Sequence, residues 1–352
     1  MTGMARWLAI AAAVSLVAGV MALLALFSAF NAAGPLTGKV SVVIPKGVGV
    51  NGIAVELRDR GVIRSALIFE LGVRLTGNQG RLRAGEYEFP GGASASGAMA
   101  ILLSGRTVVH KVTIPEGLTS AQAVRLVAEA RGLDGPVGAP PAEGMLLPDT
   151  YHFSHGDSRV ELMARMQRAM EAEIDRLWLD RAPDLPLNSP RDAVILASIV
   201  EKETARAAER PLIAGVFYNR MRRGMALQSD PTVAYGVALA EGRPGRVLDR
   251  ALTRQDLESP GPYNTYLNRG LPPTPIANPG RASLTAVLHP GQTEALYFVA
   301  DGRGGHVFAR TLAEHNRNVR RWRRLRDDAI SPRQSDTPKP LRNGIRKVPE
   351  MP

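Results

Sequence analysis

The run Ala197-Ser-Ile-Val-Glu-Lys-Glu-Thr204 places carboxylates where a helix should bury apolar surface. At 100° per residue, with Ile195 at zero, Ala193, Ile195, Leu196, Ala197, Ile199 and Val200 fall within one arc of roughly 200°. Glu203 falls near the middle of that arc, almost over Leu196, whereas Glu201 and Lys202 fall outside it. A glutamate on an apolar face is desolvated, and desolvation raises its pKa. A carboxylic acid still protonated near neutral pH is what a general acid requires. The same position also fits a glutamate at a helix end that reaches solvent and pairs with Arg206 or Lys202. Glu201 is the rival acid. The wheel puts it on the solvated face, and Thr204 and Ala205 at i+3 and i+4 give it no basic neighbour there.

The elements that must position this acid have clear start and stop signals. Ser189 is an N-cap, Pro190 the first helical residue and Asp192 a first-turn acid. A second amphipathic helix is expected over Pro211–Arg223, closed by Gly224. A polar loop follows over Leu227–Gly236, containing Gln228, Asp230 and Tyr235. Further on come Ser259-Pro-Gly-Pro-Tyr-Asn-Thr-Tyr266 and the Pro-rich Gly270–Pro279. Tyr297–Phe308 reads as a β-hairpin with a Gly-rich turn. Those glycines are no phosphate loop, since no Lys-Ser/Thr follows and no βαβ context surrounds them. His306 and His315 lack metal-ligand spacing with a third partner, so neither a metal nor a cofactor is expected. No Gly-x-Ser-x-Gly elbow occurs, which argues against an α/β-hydrolase.

In this order the motifs resemble the YceG-like endolytic murein transglycosylases, from about Val40 to about Arg321 and including Leu147-Pro-Asp-Thr-Tyr151. The resemblance implies a LysM-like α+β module ahead of a mainly helical, lysozyme-like catalytic domain. It places the acid at Glu203 and a substrate-binding set at Gln228, Asp230, Tyr235, Tyr263, Asn264 and Tyr266. Ser229 stands where relatives often have Thr. Asp149 and Tyr151 read as a structural brace. The implied reaction is cleavage of the MurNAc–GlcNAc β-1,4 bond within peptidoglycan strands, ending nascent strand growth beside peptidoglycan synthases. One acid suffices: it protonates the leaving oxygen, then takes the proton of the muramyl 6-hydroxyl as a 1,6-anhydro end closes. A water-using muramidase needs a second carboxylate, for which Asp230 is the candidate. A non-catalytic peptidoglycan-binding scaffold predicts that Glu203 is replaceable.

The rest of the chain sets the context. Its 352 residues allow two or three domains. Trp7–Phe30 holds no charge and is long enough to cross a bilayer. Phe30-Asn31 supplies no small-x-small exit, which favours a retained anchor over a cleaved leader. Arg6 before it places the N-terminus in the cytoplasm and the bulk outside, in the periplasm. There is no Cys, which excludes a disulfide scaffold. Between anchor and catalytic half the pattern is α+β. Strands are expected at Val40–Ile44, Gly85–Phe89 and Val108–Ile114, and helices at Gly52–Arg60, Ser65–Leu75 and Ala93–Leu103. Ile44-Pro-Lys-Gly47 and Ile114-Pro-Glu-Gly117 each join a strand to an amphipathic helix, a partial internal repeat. The Gly-, Pro- and Ala-rich Gly132–Ala142 reads as a domain boundary. The expected division is 1–6 cytoplasmic, 7–30 transmembrane, 38–135 LysM-like module, 143–326 catalytic domain and 327–352 disordered basic tail. Residues 317–352 carry +7 of the net +11. The bland reading is a solvated tail with no specific partner; outside the cytoplasm its charge argues against nucleic acid, and weak attraction to the carboxylates of the wall is the alternative.

Overall fold

The computed structural model describes residues 2–330, apart from Pro244, Arg246, Val247 and Asp249. The first element, α1 (Thr2–Asn31), is an apolar helix long enough to cross a membrane. Its end is tied down: the Phe30 ring packs against Gly72, and Asn31 accepts from Ser96 Oγ at 2.8 Å.

Strand β1 (Val40–Ile44), helices α2 (Val50–Asp59) and α3 (Ala66–Leu75), strand β2 (Gly85–Phe89) and helix α4 (Ala95–Ser104) follow. Alternation along β1 and β2 puts Val42, Ile44, Tyr87 and Phe89 on one face of an antiparallel pair, register Val42 to Tyr87. Helices α2, α3 and α4 cover that face to form a closed core from Phe30 to Leu102.

The second strand–turn–helix unit does not join this core. Strand β3 (Val109–Thr113) and helix α5 (Ser120–Glu129) precede two short strands, β4 (Leu133–Asp134) and β6 (Asp157–Ser158), which flank β5 (Thr150–Ser154). Strand β3 pairs antiparallel with β5, and β4 parallel with β6. With the first half of α6 (Arg159–Leu179) they bury Val112, Ile114, Val124, Phe153 and Met166 together. The Gly132–Ala142 segment, which contains β4, therefore lies inside one packing unit, and a boundary between 135 and 143 cuts through that unit. Gly and Pro punctuate loops, but they do not say which strands pair across them.

The third core surrounds α7 (Pro190–Glu203). Ser189 Oγ accepts from Asp192 N at 3.2 Å, and Pro190 opens the helix. Every residue from Ala193 to Val200 is buried, including Ser198, so the apolar arc of the wheel is only part of a helix enclosed on all sides. Ser198 is satisfied there: its Oγ donates to Ile195 O and accepts from Ile276 N. Around α7 stand α6, α8 (Arg210–Arg222), α9 (Asp230–Ala240) and α11 (Arg281–Leu288), with the short α10 (Arg254–Glu258) beside α9. Where a polar loop was expected over Leu227–Gly236, the chain is already helical from Asp230, with Pro231 at the start. The hairpin β7 (Tyr297–Ala300) and β8 (His306–Ala309) forms as expected, register Phe298 to Phe308. A last helix, α12 (Leu312–Ile330), packs on it. The expected tail overlaps α12 as far as Ile330, and its remainder, 331–352, lies outside the described residues.

Candidate active site

Helix α7 runs three residues past Val200, the end of its apolar run, and Glu203 is its last residue. The following Thr204 is extended, so the chain turns away and leaves the Glu203 side chain at the helix terminus, facing a cavity of about 490 Å³. Ser229 Oγ, buried at the start of α9, donates to Glu203 Oε1 at 2.5 Å. Glu203 Oε2 has no partner among the described residues and is the oxygen left for a ligand. The residue keeps part of its surface open, but that opening is onto the cavity, and the protein around the carboxyl desolvates it. Burial pushes the Glu203 pKa up to about 7. The Ser229 hydrogen bond opposes this, the charge of Asp230 adds to it, and His306 and Arg220 pull weakly the other way.

Ser229 is held in place by a strained loop. Gln228 is left-handed at φ +52° although it is not glycine. The buried guanidinium of Arg220 on α8 overrides that cost. Its Nη1 donates to Ala226 O, Leu227 O and Gln228 Oε1, and its Nε to Leu296 O at 2.6 Å. From the other side Gln228 N donates to Thr265 O, Ser229 N to Thr265 Oγ1, and Thr232 Oγ1 to Ser229 O. Arg220 thus ties the loop that supports Glu203 to the strand side of the core. Burial draws its pKa below the ordinary guanidinium value, and Tyr297, Tyr266 and Glu203 offset this. It remains a cation at any physiological pH.

The expected binding residues do not form one group. Gln228, Asp230 and Tyr266 line the Glu203 cavity. Tyr266 OH donates to Asp230 Oδ1 at 2.6 Å, and burial followed by this bond raises the phenol pKa. Tyr235 instead lines a neighbouring cavity of about 270 Å³, which Asp230 and Lys202 also border. Tyr263 and Asn264 lie away from Glu203. Tyr263 is 7% exposed, packs edge-on to Tyr235 at 5.0 Å and hydrogen-bonds Thr274 Oγ1. Asn264 is 4% exposed; its amide donates to Leu257 O and Ser259 O, and its Oδ1 accepts from Tyr266 N. Both shape the loop that presents Tyr266. A Tyr-Asn-x-Tyr string alone does not say which ring faces inward.

Glu201 is not on a solvated face. Its side chain is 5% exposed and pairs with Arg210 Nη2 at 2.8 Å, while Oε2 accepts from Gly280 N at 2.9 Å. Arg210 also reaches Glu116 of the Ile114-Pro-Glu-Gly117 turn at 3.2 Å. Both Glu201 oxygens are thus engaged by protein, and the side chain anchors the end of α7. Asp149 and Tyr151 are braces as expected: Asp149 pairs with Arg281 at 2.8 Å, and Tyr151 OH donates to Leu147 O at 2.7 Å.

Several site groups were not singled out from sequence. Arg220 was legible in principle, because it sits seven residues after Ile213 and three after Phe217 on a buried face. The Glu209–His306 pair was not, since 97 residues separate its members. Glu209 accepts from His306 Nδ1 at 2.7 Å, from His306 N and from Thr204 Oγ1. Burial pushes the Glu209 carboxyl up, but these bonds outweigh it and hold the pKa below the ordinary value. The pair fastens the hairpin to Thr204, the residue after Glu203. Among the described residues no group of three or more His, Asp and Glu is arranged to hold a metal.

The comparisons with known proteins agree with this architecture. An endolytic murein transglycosylase of Bacillus subtilis (strain 168) is 34% identical over 311 residues, covering 79% of this chain and 83% of that one. Another, from Streptococcus pneumoniae serotype 2, is 30% identical over 325 residues, covering 80% of this chain and 58% of the pneumococcal one. A crystal structure of a YceG-like protein from Listeria monocytogenes matches with a TM-score of 0.50 at 32% identity, over 80% of this chain and 98% of that one. The profile of the YceG-like family matches residues 42–321, and with that extent of match this chain belongs to the YceG-like family.

Proposed function

We propose that the protein is an endolytic peptidoglycan lytic transglycosylase with Glu203 as its single general acid–base. The observation that carries this reading is the carboxyl at the end of α7. It is pushed up to about 7 by burial, held through one oxygen by Ser229 and open to the cavity through the other. At neutral pH such a group is poised to donate a proton and then to accept one. The endolytic murein transglycosylases to which the chain is similar support the substrate class.

In the proposed cycle Glu203 Oε2 protonates the glycosidic oxygen between N-acetylmuramic acid and N-acetylglucosamine. The C1–O bond breaks, and positive charge develops on the muramyl ring. The Asp230 carboxylate, held by Tyr266, and the substrate's own N-acetyl oxygen are suited to stabilising that charge. Glu203, now ionised, removes the proton of the muramyl 6-hydroxyl, whose oxygen closes onto C1. The acid is regenerated and no water is consumed. The sharing of one cavity by Asp230 and Glu203 also favours a second reading, in which Asp230 directs a water and the enzyme hydrolyses the bond. Digestion in heavy-oxygen water separates the two. The proposed route leaves the new muramyl end unlabelled, and a label at that end would replace it with hydrolysis.

The apolar α1 supports single-pass anchoring in the cytoplasmic (inner) membrane. Arg6 ahead of it supports a cytoplasmic N-terminus and a periplasmic catalytic core. The α+β unit of Val40–Ser104 is proposed as the LysM-like module, docking on glycan or spacing the site from the membrane. From that position the enzyme would cut nascent strands beside their synthases and end their growth.

A further inference from the structure

Helix α12 carries an apolar and aromatic face that nothing in the reaction scheme uses. Leu312, His315, Asn316, Val319 and Trp322 all line the Glu203 cavity. Their spacing of three, four, seven and ten residues from Leu312 places them on one side of the helix. Tyr297, Phe298 and Val299 of the adjoining β7 line the same cavity, as do Arg220, Gln228 and Asp230.

His315 is the unusual member. Its ring stacks on Tyr297 with centroids 5.2 Å apart and planes 27° apart. Its Nδ1 is sealed from solvent and has no hydrogen-bond partner. A buried ring nitrogen in that state is better left as a bare lone pair than as an N–H with no acceptor, which puts the proton on Nε2. Nε2 has no acceptor among the described residues either, and it is the nitrogen that remains accessible on this cavity-lining ring. Burial and the neighbouring Arg220 charge hold the imidazole pKa below its ordinary value, so the ring is neutral at neutral pH. The stacking fixes the ring plane, so Nε2–H is a donor held in place without a protein partner. Seven residues on, Trp322 offers an aromatic surface to the same cavity, with the Arg326 guanidinium 5.2 Å from its ring centroid.

We infer that α12 is a substrate-contacting wall of the cavity it shares with Glu203, where His315 Nε2–H donates to an acceptor oxygen of the amino-sugar chain and Trp322 stacks on a sugar ring. The inference rests on the proposed reading of the cavity as a glycan site. It adds two specificity-determining contacts from a helix whose remaining surface is mostly arginine.

The test is binding rather than turnover. The full-length, detergent-solubilised Glu203→Gln chain is titrated calorimetrically with a purified, uncross-linked peptidoglycan glycan oligomer, and the titration is repeated with a second substitution added. His315→Phe keeps the stack on Tyr297 and removes the donor; affinity is expected to fall on the order of tenfold, the usual cost of an unpaired polar contact. His315→Gln, which restores a donor, recovers part of that loss, which a merely structural role would not give. Trp322→Ala falls by a similar factor and Trp322→Phe by less. Arg324→Ala, on the exposed side, binds like the parent. Affinities within twofold of the parent for both His315→Phe and Trp322→Ala would overturn the α12 inference while leaving the reading of function intact. Failure of the Glu203→Gln chain itself to bind glycan would overturn both.

Discussion

Replacing Glu203 by Gln should stabilise the protein, and by an amount that grows with pH. The folded carboxyl titrates at about 7 against an ordinary 4.5. Below pH 4.5 the glutamate is protonated in both folded and unfolded chains, so its stabilising contribution is fully present. Between 4.5 and 7 the unfolded chain releases the proton and the folded chain keeps it. Stability therefore falls with pH by about 1.4 kcal/mol per unit. Above about pH 7 the loss levels off near ~3 kcal/mol, an upper bound because the carboxyl opens onto a cavity that water can enter. The substituted glutamine does not titrate, and its amide oxygen can still accept from Ser229. Urea unfolding of both chains from about pH 4.5 to about pH 8.5, followed through Trp178 and Trp322, gives the difference directly. The predicted gap is small at about pH 4.5 and about 2–3 kcal/mol at about pH 8. A gap that stays flat within about 0.5 kcal/mol would refute the raised pKa, and with it the claim that the acid is protonated at neutral pH. The same titration should appear in catalysis as a fall of kcat/KM above about pH 7.

Other expectations follow from the same geometry. Arg220→Met removes the donors that hold Gln228 left-handed, so thermal unfolding should show a loss of about 3–5 kcal/mol, with cleavage reduced more than a hundredfold. Glu201→Gln weakens the tie to Arg210; it should cost about 1–3 kcal/mol in a melt yet retain most cleavage, whereas Glu203→Gln retains none. Tyr263→Phe loses only the Thr274 bond and should cost about 1 kcal/mol with an unchanged KM, while Tyr266→Phe should lower kcat by freeing Asp230. Membranes extracted with alkaline carbonate should keep the full chain in the pellet, and release into the supernatant would contradict anchoring by α1.

What was legible follows from how local each signal is. Helix α7 and its cap were readable because Ser189, Pro190 and the apolar run all lie within one helix. Strands β1 and β2 were readable from alternation within five residues each. Glu201 was misjudged because a wheel looks only three or four residues ahead, whereas its partner Arg210 comes after the break at Thr204 and Gly280 comes 79 residues later. The start of α9 was hidden because Gln-Ser-Asp-Pro has loop composition, although Ser-Asp-Pro also opens helices. The second packing unit was hidden because β3 finds β5 across a segment rich in Gly and Pro. In α12 the arginines from Arg317 to Arg326 mask a narrow apolar stripe, and the sequence spacing of His315 speaks only to metal ligation.

The central claim is that one carboxyl, Glu203, both breaks the glycosidic bond and closes the new end. A mass spectrum of purified peptidoglycan treated with the full-length chain, beside its Glu203→Gln variant, tests it most directly. The account predicts muropeptides ending in 1,6-anhydro-muramic acid, lighter by one water than reducing ends, with the parent and none with the variant. Reducing muramyl ends from the parent, or anhydro ends persisting with the variant, would contradict it.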